Sequence, residues 1–292
     1  MSKITITDVR AVVGDSAFLI DDGTTAVLID SGFGFTGDAV AARIREVLGA
    51  RPLDYIFLTH SHYDHVLGAA YVLHAYPNAR VVAGEYAAKI FAKESAKALM
   101  RDLDRKFAAT CGVTDYPDRI DELRVDLAVA DGDVIQAGEM KFVAVALPGH
   151  TKCSMGFYLP DERLLIGAET LGVFDGEEIL VPCFLVGYQM ALDSIAKARA
   201  MEVDKLLLPH FGLLAREKTD YYLDHAAPAV RETAEAITSI LRTGGTEADA
   251  IAWFREKFYR GNIPAAYPID AMLLNTSIMV RVIARELLGM QI

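Results

Sequence analysis

The stretch Thr59-His60-Ser61-His62-Tyr63-Asp64-His65 decides how the rest of the chain is read. Three histidines and one aspartate fall within residues 60–65. The apolar run Tyr55-Ile56-Phe57-Leu58 precedes them, and Val66-Leu67-Gly68-Ala69-Ala70-Tyr71-Val72-Leu73 follows with the composition of a helix. The pattern predicts a strand that delivers ligands into a turn, with a helix leaving it. Imidazole and carboxylate donors together suit zinc and other first-row divalent metals. His60 and His62 alternate with Ser61 and can point to one side of an extended segment. Asp64 and His65 sit where the helix begins and can face a second point nearby. Two offset pairs suggest two neighbouring metal positions.

A chain of 292 residues is ample for a substantial core, as one large domain or two small ones. Hydrophobic residues at 52% and charged residues at 24% give an ordinary globular balance. The formal net charge is −11 and no lysine- or arginine-rich run occurs, so a nucleic-acid partner is not expected. The N-terminal residues lack the apolar core of a signal peptide. The uncharged stretch 179–192 contains Pro182 and Gly187 and is too short to span a bilayer, so no membrane association is expected. Cys111, Cys153 and Cys183 are odd in number and widely spaced, which is not a disulfide framework and points to a reducing cytoplasm.

Alternation at Ile4-Thr5-Ile6-Thr7 and the short apolar runs 9–13 and 17–20 predict strands, separated by turns at Gly14-Asp15 and Asp21-Asp22-Gly23. Residues 26–29 form a continuous apolar run, as a strand buried on both faces would, and end in Asp30-Ser31-Gly32. Phe33 and Phe35 flank Gly34 and either line a pocket or pack beneath the loop. Helical spacing marks 38–48, and the motif strand covers 54–59. Residues 84–109 read as helical, with Leu99, Leu103 and Phe107 on one face. Further strands are predicted at 125–129, 134–136, 140–147, 155–159, 163–166 and 205–208, with a helix at 189–200. Beyond residue 214 the chain is helical, with Pro228 as a kink or break. Thr246 is an N-cap with acidic Asp249 at N3, and Gly289 stops a last helix beginning near residue 270.

His60-x-His62-x-Asp64-His65, followed by Gly68, resembles the signature of the metallo-β-lactamase-fold hydrolases. The likeness covers roughly residues 1–215. It implies an α/β fold, a four-layer αββα sandwich, with residues 1–215 as the catalytic domain and 216–292 as a helical C-terminal extension packed on the core. A helical insertion at about 84–120 falls where the family tolerates insertions near the active site. It would form a lid, a pocket wall or a helix packed on the scaffold. The extension would wrap the core, cap the site or form a homodimer face. His150 follows a strand through Pro148-Gly149, and His210 follows another through Pro209; both match ligand positions of the family. The resemblance thus implies a first metal on His60, His62 and His150 and a second on Asp64, His65 and His210. Asp30 matches an aspartate that sits behind the metals and orients them. In the family a Gly-Asp pair follows a later strand and its Asp bridges the two metals. Here the residues are Gly167-Ala168-Glu169, so Ala168 takes the Asp place. Three arrangements follow: Glu169 bridges or binds one metal, or it acts as a base or acceptor behind the ligands, or the second metal is weak or absent. Lys152 and Cys153 stand where the family often has small residues, and Cys153 reads as a structural thiol.

Bound metal lowers the pKa of water towards neutrality, so hydroxide is available at ordinary pH. In the resembled family Asp64 binds metal and orients the attacking water or accepts its proton, which makes it the catalytic carboxylate. The expectation is a metal-dependent hydrolase of a small ester, thioester, lactone or similar molecule. It would use one or two divalent ions, zinc first, with iron or manganese as other candidates. The alternative is a mononuclear-iron redox enzyme of sulfur or oxygen chemistry, which loss of the bridging Asp would fit. Nuclease relatives share the motif, but the acidic charge counts against them.

Overall fold

The computed structural model describes residues 4–290. The first three residues, part of the segment read above for a signal sequence, lie outside the described residues. The chain falls into two compact units, one running through Ala146 together with Met155–Glu162, the other formed by Leu147–Ser154 and everything from Arg163 onward.

In the first unit the elements are β1 (Thr5–Asp8), β2 (Phe18–Asp21), β3 (Ala26–Ile29), α1 (Gly37–Leu48), β4 (Tyr55–Leu58), α2 (Tyr63–Val66), α3 (Gly68–Ala75), β5 (Arg80–Gly84), α4 (Glu85–Phe91), α5 (Glu94–Thr110), β6 (Leu127–Val129), β7 (Val134–Ala137), β8 (Met140–Ala146) and β9 (Met155–Leu159). β1, β2 and β3 form an antiparallel meander. β3, β4, β5 and β6 then pair in parallel, each step crossing through helices. Parallel strands need such crossovers and are covered on both faces, which is why β3 is buried along its whole length. β7, β8 and β9 form an antiparallel set. Phe57 of β4 joins the two sheets, its ring 4.9 Å from Phe142 of β8 and 4.8 Å from Phe157 of β9. All three rings are fully buried. Truncating a buried Phe to Ala costs about 3–5 kcal/mol, so the strand that carries the histidine motif is firmly seated.

The second unit holds β10 (Leu164–Ile166), a hairpin of β11 (Val173–Phe174) and β12 (Leu180–Val181), α6 (Tyr188–Ala200), β13 (Lys205–Leu208), β14 (Gly212–Leu214), α7 (Arg216–Arg242), α8 (Glu247–Phe258), α9 (Ile263–Ala266) and α10 (Ile269–Leu288). β10 and β13 are parallel, and β13 turns back antiparallel into β14. The predicted cap is formed: the Thr246 hydroxyl accepts the Asp249 N–H at 3.2 Å, and the Asp249 carboxylate accepts the Thr246 N–H at 2.7 Å. Gly289 is left-handed at φ 64°, as a stop requires.

Several local expectations differ. Residues 9–13 are not a strand, because Asp15 accepts the backbone N–H groups of Ala11 and Val12 at 2.8 and 3.1 Å and so removes two ladder donors. α7 runs unbroken through Pro228. The proline leaves the carbonyl of Asp224 without its helical partner, and that residue is solvent-exposed. The insertion is two helices, and the buried face of α5 is Met100, Asp104 and Ala108, one residue on from the apolar set, with Leu99 exposed at 59%.

Asp104 is a buried carboxyl in that helix face. It accepts the Gly34 N–H at 2.9 Å and the Tyr116 hydroxyl at 2.7 Å. Phe107, one turn on, stacks on Phe33 with centroids 4.6 Å apart. The insertion therefore packs onto the loop after β3, and of the two readings of Phe33, packing under the loop is the one observed. Burial raises the Asp104 pKa from 3.8 to about 6, more than its hydrogen bonds to Tyr116 and Gly34 lower it. Between those values the folded state holds the proton more tightly than the unfolded one, so this group's contribution to stability is lost as pH rises from about 4 to about 6. At about 1.4 kcal/mol per pH unit the effect approaches about 3 kcal/mol. Asp104→Asn keeps an acceptor for Gly34 without the charge. Urea unfolding at pH 4, 5, 6 and 7 should show wild type losing stability over this window relative to the variant; parallel curves would refute the assignment.

Candidate metal centre

In the first unit β3 and β4 end side by side, and their ends hold the motif. Asp30 follows β3 in a left-handed conformation, φ 53°, uncommon for a non-glycine residue but tolerated by Asp. Its buried carboxylate accepts four donors: the Thr59 N–H at 2.8 Å, the Thr59 hydroxyl at 3.0 Å, the Ser16 hydroxyl at 2.9 Å and His65 Nδ1 at 2.7 Å. Burial alone would raise its pKa, but the charge of His65 and these hydrogen bonds outweigh burial and lower it. The chain then turns through His60, which is fully buried, and His62, which is extended and caps α2. His60 Nδ1 lies 3.1 Å from the Thr59 hydroxyl. The His60 ring is 4.6 Å from that of His62 and 4.0 Å from that of His65. Asp64 Oδ2 is 3.7 Å from His65 Nε2. The four motif donors are thus gathered in one place.

Gly68 explains the last letter of the motif. A Cβ there would lie 1.9 Å from the Ser31 carbonyl, so the start of α3 can lie against the loop after β3 only without a side chain. That closeness lets Ser31 donate both its N–H, at 2.7 Å, and its hydroxyl, at 2.8 Å, to the His65 carbonyl.

The second unit supplies the other predicted residues. His150 is buried in the Leu147–Ser154 segment. Its N–H donates to the Thr170 hydroxyl at 3.1 Å, and that hydroxyl donates to the Leu147 carbonyl at 2.6 Å. Gly149 precedes it at φ +141°, where a Cβ would meet the Ala191 Cα at 2.7 Å. Glu169 opens the short 3-10 turn after β10, and His210 occupies the turn between β13 and β14 at φ 61°. Glu169 places one oxygen 2.7 Å from His150 Nε2 and the other 3.3 Å from His210 Nε2. Burial disfavours charge on Glu169, yet the charges of His150 and His210 hold its pKa well below the carboxylate range. Burial likewise disfavours the charged form of His150, and Glu169 outweighs it, raising that pKa well above the imidazole range. The negative charge of Glu169 equally favours a metal cation in place of those histidine protons.

Cys183 was not singled out from the sequence. Its carbonyl and its Sγ both lie 3.2 Å from His150 Nδ1. It sits within the uncharged stretch 179–192, the one signal that could have drawn attention to it. Cys153 is buried, with its Sγ 3.2 Å from the Thr151 hydroxyl. His74 and His225, not taken as ligands, are exposed.

His60, His65 and His150 share one arrangement: Nδ1 is engaged from behind by Thr59, Asp30 and Cys183 respectively. Such contacts orient the ring and leave Nε2 as the nitrogen available to a metal, as in metal-binding histidines generally. The donor chemistry of His60, His62, His150 and Glu169, and of Asp64, His65 and His210, fits divalent metal ions.

The model of the metallo-beta-lactamase superfamily matches residues 11–210. The chain belongs to the metallo-β-lactamase superfamily. It has the fold that the motif implied, with helices added at the C-terminal end, and it is a metal-dependent hydrolase. A hydroxyacylglutathione hydrolase of Nitrobacter winogradskyi is 26% identical over 221 residues, 72% of this chain and 70% of that protein. One of Rhodopseudomonas palustris is 26% identical over 234 residues, 78% of this chain and 74% of that protein. A solved metallo-β-lactamase family protein of Thermus thermophilus superposes with a TM-score of 0.63 at 17% identity, over 92% of this chain and 88% of that one.

Asp30→Ala should test the unit-1 half of this centre. It strands the buried Thr59 and Ser16 donors and frees the His65 ring. Expected are a loss of about 2–4 kcal/mol in denaturant unfolding and metal affinity about 10–100-fold weaker by chelator competition. An unchanged affinity would show that Asp30 serves stability alone.

Proposed function

We propose that this chain hydrolyses a small acyl thioester at a pair of divalent ions, zinc being the resident metal. His60, His62 and His150 would hold one ion, Asp64, His65 and His210 the other, with Glu169 bridging in place of the family's aspartate. The observation that carries the two-ion reading is Glu169: its two oxygens face different histidines, His150 and His210, one from each proposed set. The thioester class rests on the relatives named as hydroxyacylglutathione hydrolases.

An ion held by such donors lowers the pKa of its water and polarises a carbonyl. The residues do the rest. Glu169, kept ionised by His150 and His210, would supply negative charge to the ions these residues hold. Asp64, partly open to solvent, would orient the water and accept its proton. Asp30 keeps the proton of His65 on Nδ1, so Nε2 stays a donor of electrons. The products are a carboxylate and a thiol. Catalysis falls within residues 1–215, with residues 216–292 as an extension packed on that core. No helix among the described residues is long and apolar enough to cross a membrane. The odd number and wide spacing of the cysteines support a reducing cytoplasm as the working compartment.

Metal content and turnover test this together. Protein purified without added metal should carry two zinc ions per chain and cleave acyl thioesters at least about tenfold faster than matched oxygen esters and lactones, a difference of about 1.4 kcal/mol in transition-state binding. Glu169→Ala should lose at least one ion and about 100-fold or more in kcat/KM. A single iron with oxygen consumption, or two ions retained by the variant, would overturn the proposal.

A further inference from the structure

His150 is backed by groups from the far end of the chain. Cys183 Sγ lies 3.2 Å from His150 Nδ1 and 3.6 Å from the hydroxyl of Tyr267. Asn275 of α10 donates its side-chain N–H to the Tyr267 hydroxyl at 2.6 Å, and the same nitrogen is 3.7 Å from Cys183 Sγ. Cys183 and Tyr267 are buried, exposed by 1% and 5%, so water does not compete for these contacts. The Asn275 amide gives to Tyr267, which leaves the hydroxyl's own proton available to the sulfur 3.6 Å away. With the sulfur so placed, it and the carbonyl of Cys183, each 3.2 Å from His150 Nδ1, can both receive a proton held there. An imidazole whose Nδ1 holds the proton offers Nε2 as a lone pair.

We propose that Cys183, Tyr267 and Asn275 form a positioning network that locks the His150 ring and its tautomer, so that the C-terminal helices set how tightly the centre holds its metal. The inference rests on the reading of His150 as a metal ligand. It gives residues 267 and 275 a task in the centre without contact with substrate or metal. Partners that orient metal-bound histidines typically matter by 10–100-fold in affinity, and more distant members of a network by less.

The test is zinc affinity of the full chain by chelator competition, with the spectrum of the cobalt-substituted protein as a second readout. Cys183→Ala should weaken zinc binding about tenfold, and Tyr267→Phe, which keeps the ring and loses only the hydroxyl, about three- to tenfold. Both should shift the cobalt bands, whereas Cys183→Ser, which restores a polar partner for Nδ1, should stay closer to wild type than Cys183→Ala. Unfolding midpoints of the metal-free proteins identify any variant that is merely misfolded, and Tyr267→Phe decides if Cys183→Ala is one. Zinc affinity and cobalt bands unchanged in both Cys183→Ala and Tyr267→Phe would overturn the network. His150→Ala separates the two layers: if it holds as much zinc as wild type, the ligand reading fails and the network with it. If it loses zinc while the network variants do not, the network alone fails.

Discussion

The Asp30 carboxylate is the interaction on which the unit-1 half of the centre depends. It has no exposed surface, and an isolated charge there would be prohibitively costly. The cost is offset because Ser16, Thr59 and His65 all point donors at it. Those residues come from the loop before β2, the end of β4 and the helix α2, so one small anion ties three separate segments to the end of β3. The left-handed backbone at Asp30 is a strained feature that the surrounding hydrogen bonds over-determine, as functional sites often show. His210 carries the same feature at the end of β13. Asp30 and His210 thus both hold left-handed backbone just past the end of a strand.

Glu169 shows how a shifted residue can serve the same geometry. Ala168, in the place where the resemblance puts the family's aspartate, is fully buried. The chain instead enters a 3-10 turn one residue later, at Glu169, whose side chain is one methylene longer than that of aspartate. The carboxylate then meets both His150 and His210, each near 3 Å.

Much of this was legible in the sequence, for reasons that differ by residue. The strands at 26–29 and 205–208 are continuous apolar runs, and a buried parallel strand has no other signature. The motif histidines were legible because metal chemistry demands those residue types at short spacing, and His150 and His210 because each follows a strand through a proline turn. What escaped lacked such a local signal. The run 9–13 has strand-like composition, but a carboxylate a few residues on competes for its backbone donors. The buried face of α5 includes Asp104, and a periodicity search for apolar residues passes over a buried acid. β14 has only three residues. The partners of Cys183 lie 33, 84 and 92 residues away along the chain, and no pattern of spacing connects them.

The path of the chain between its two units has an evolutionary consequence. It passes from one to the other after Ala146, after Ser154 and after Glu162. The eight residues of Leu147–Ser154, His150 among them, leave β8 and return as β9, whose facing ends Ala146 and Met155 are paired. A single recombination point can therefore never exchange one unit intact for that of a relative. Any such crossover would either split the first unit's own strands or carry His150 away from Glu169 and His210.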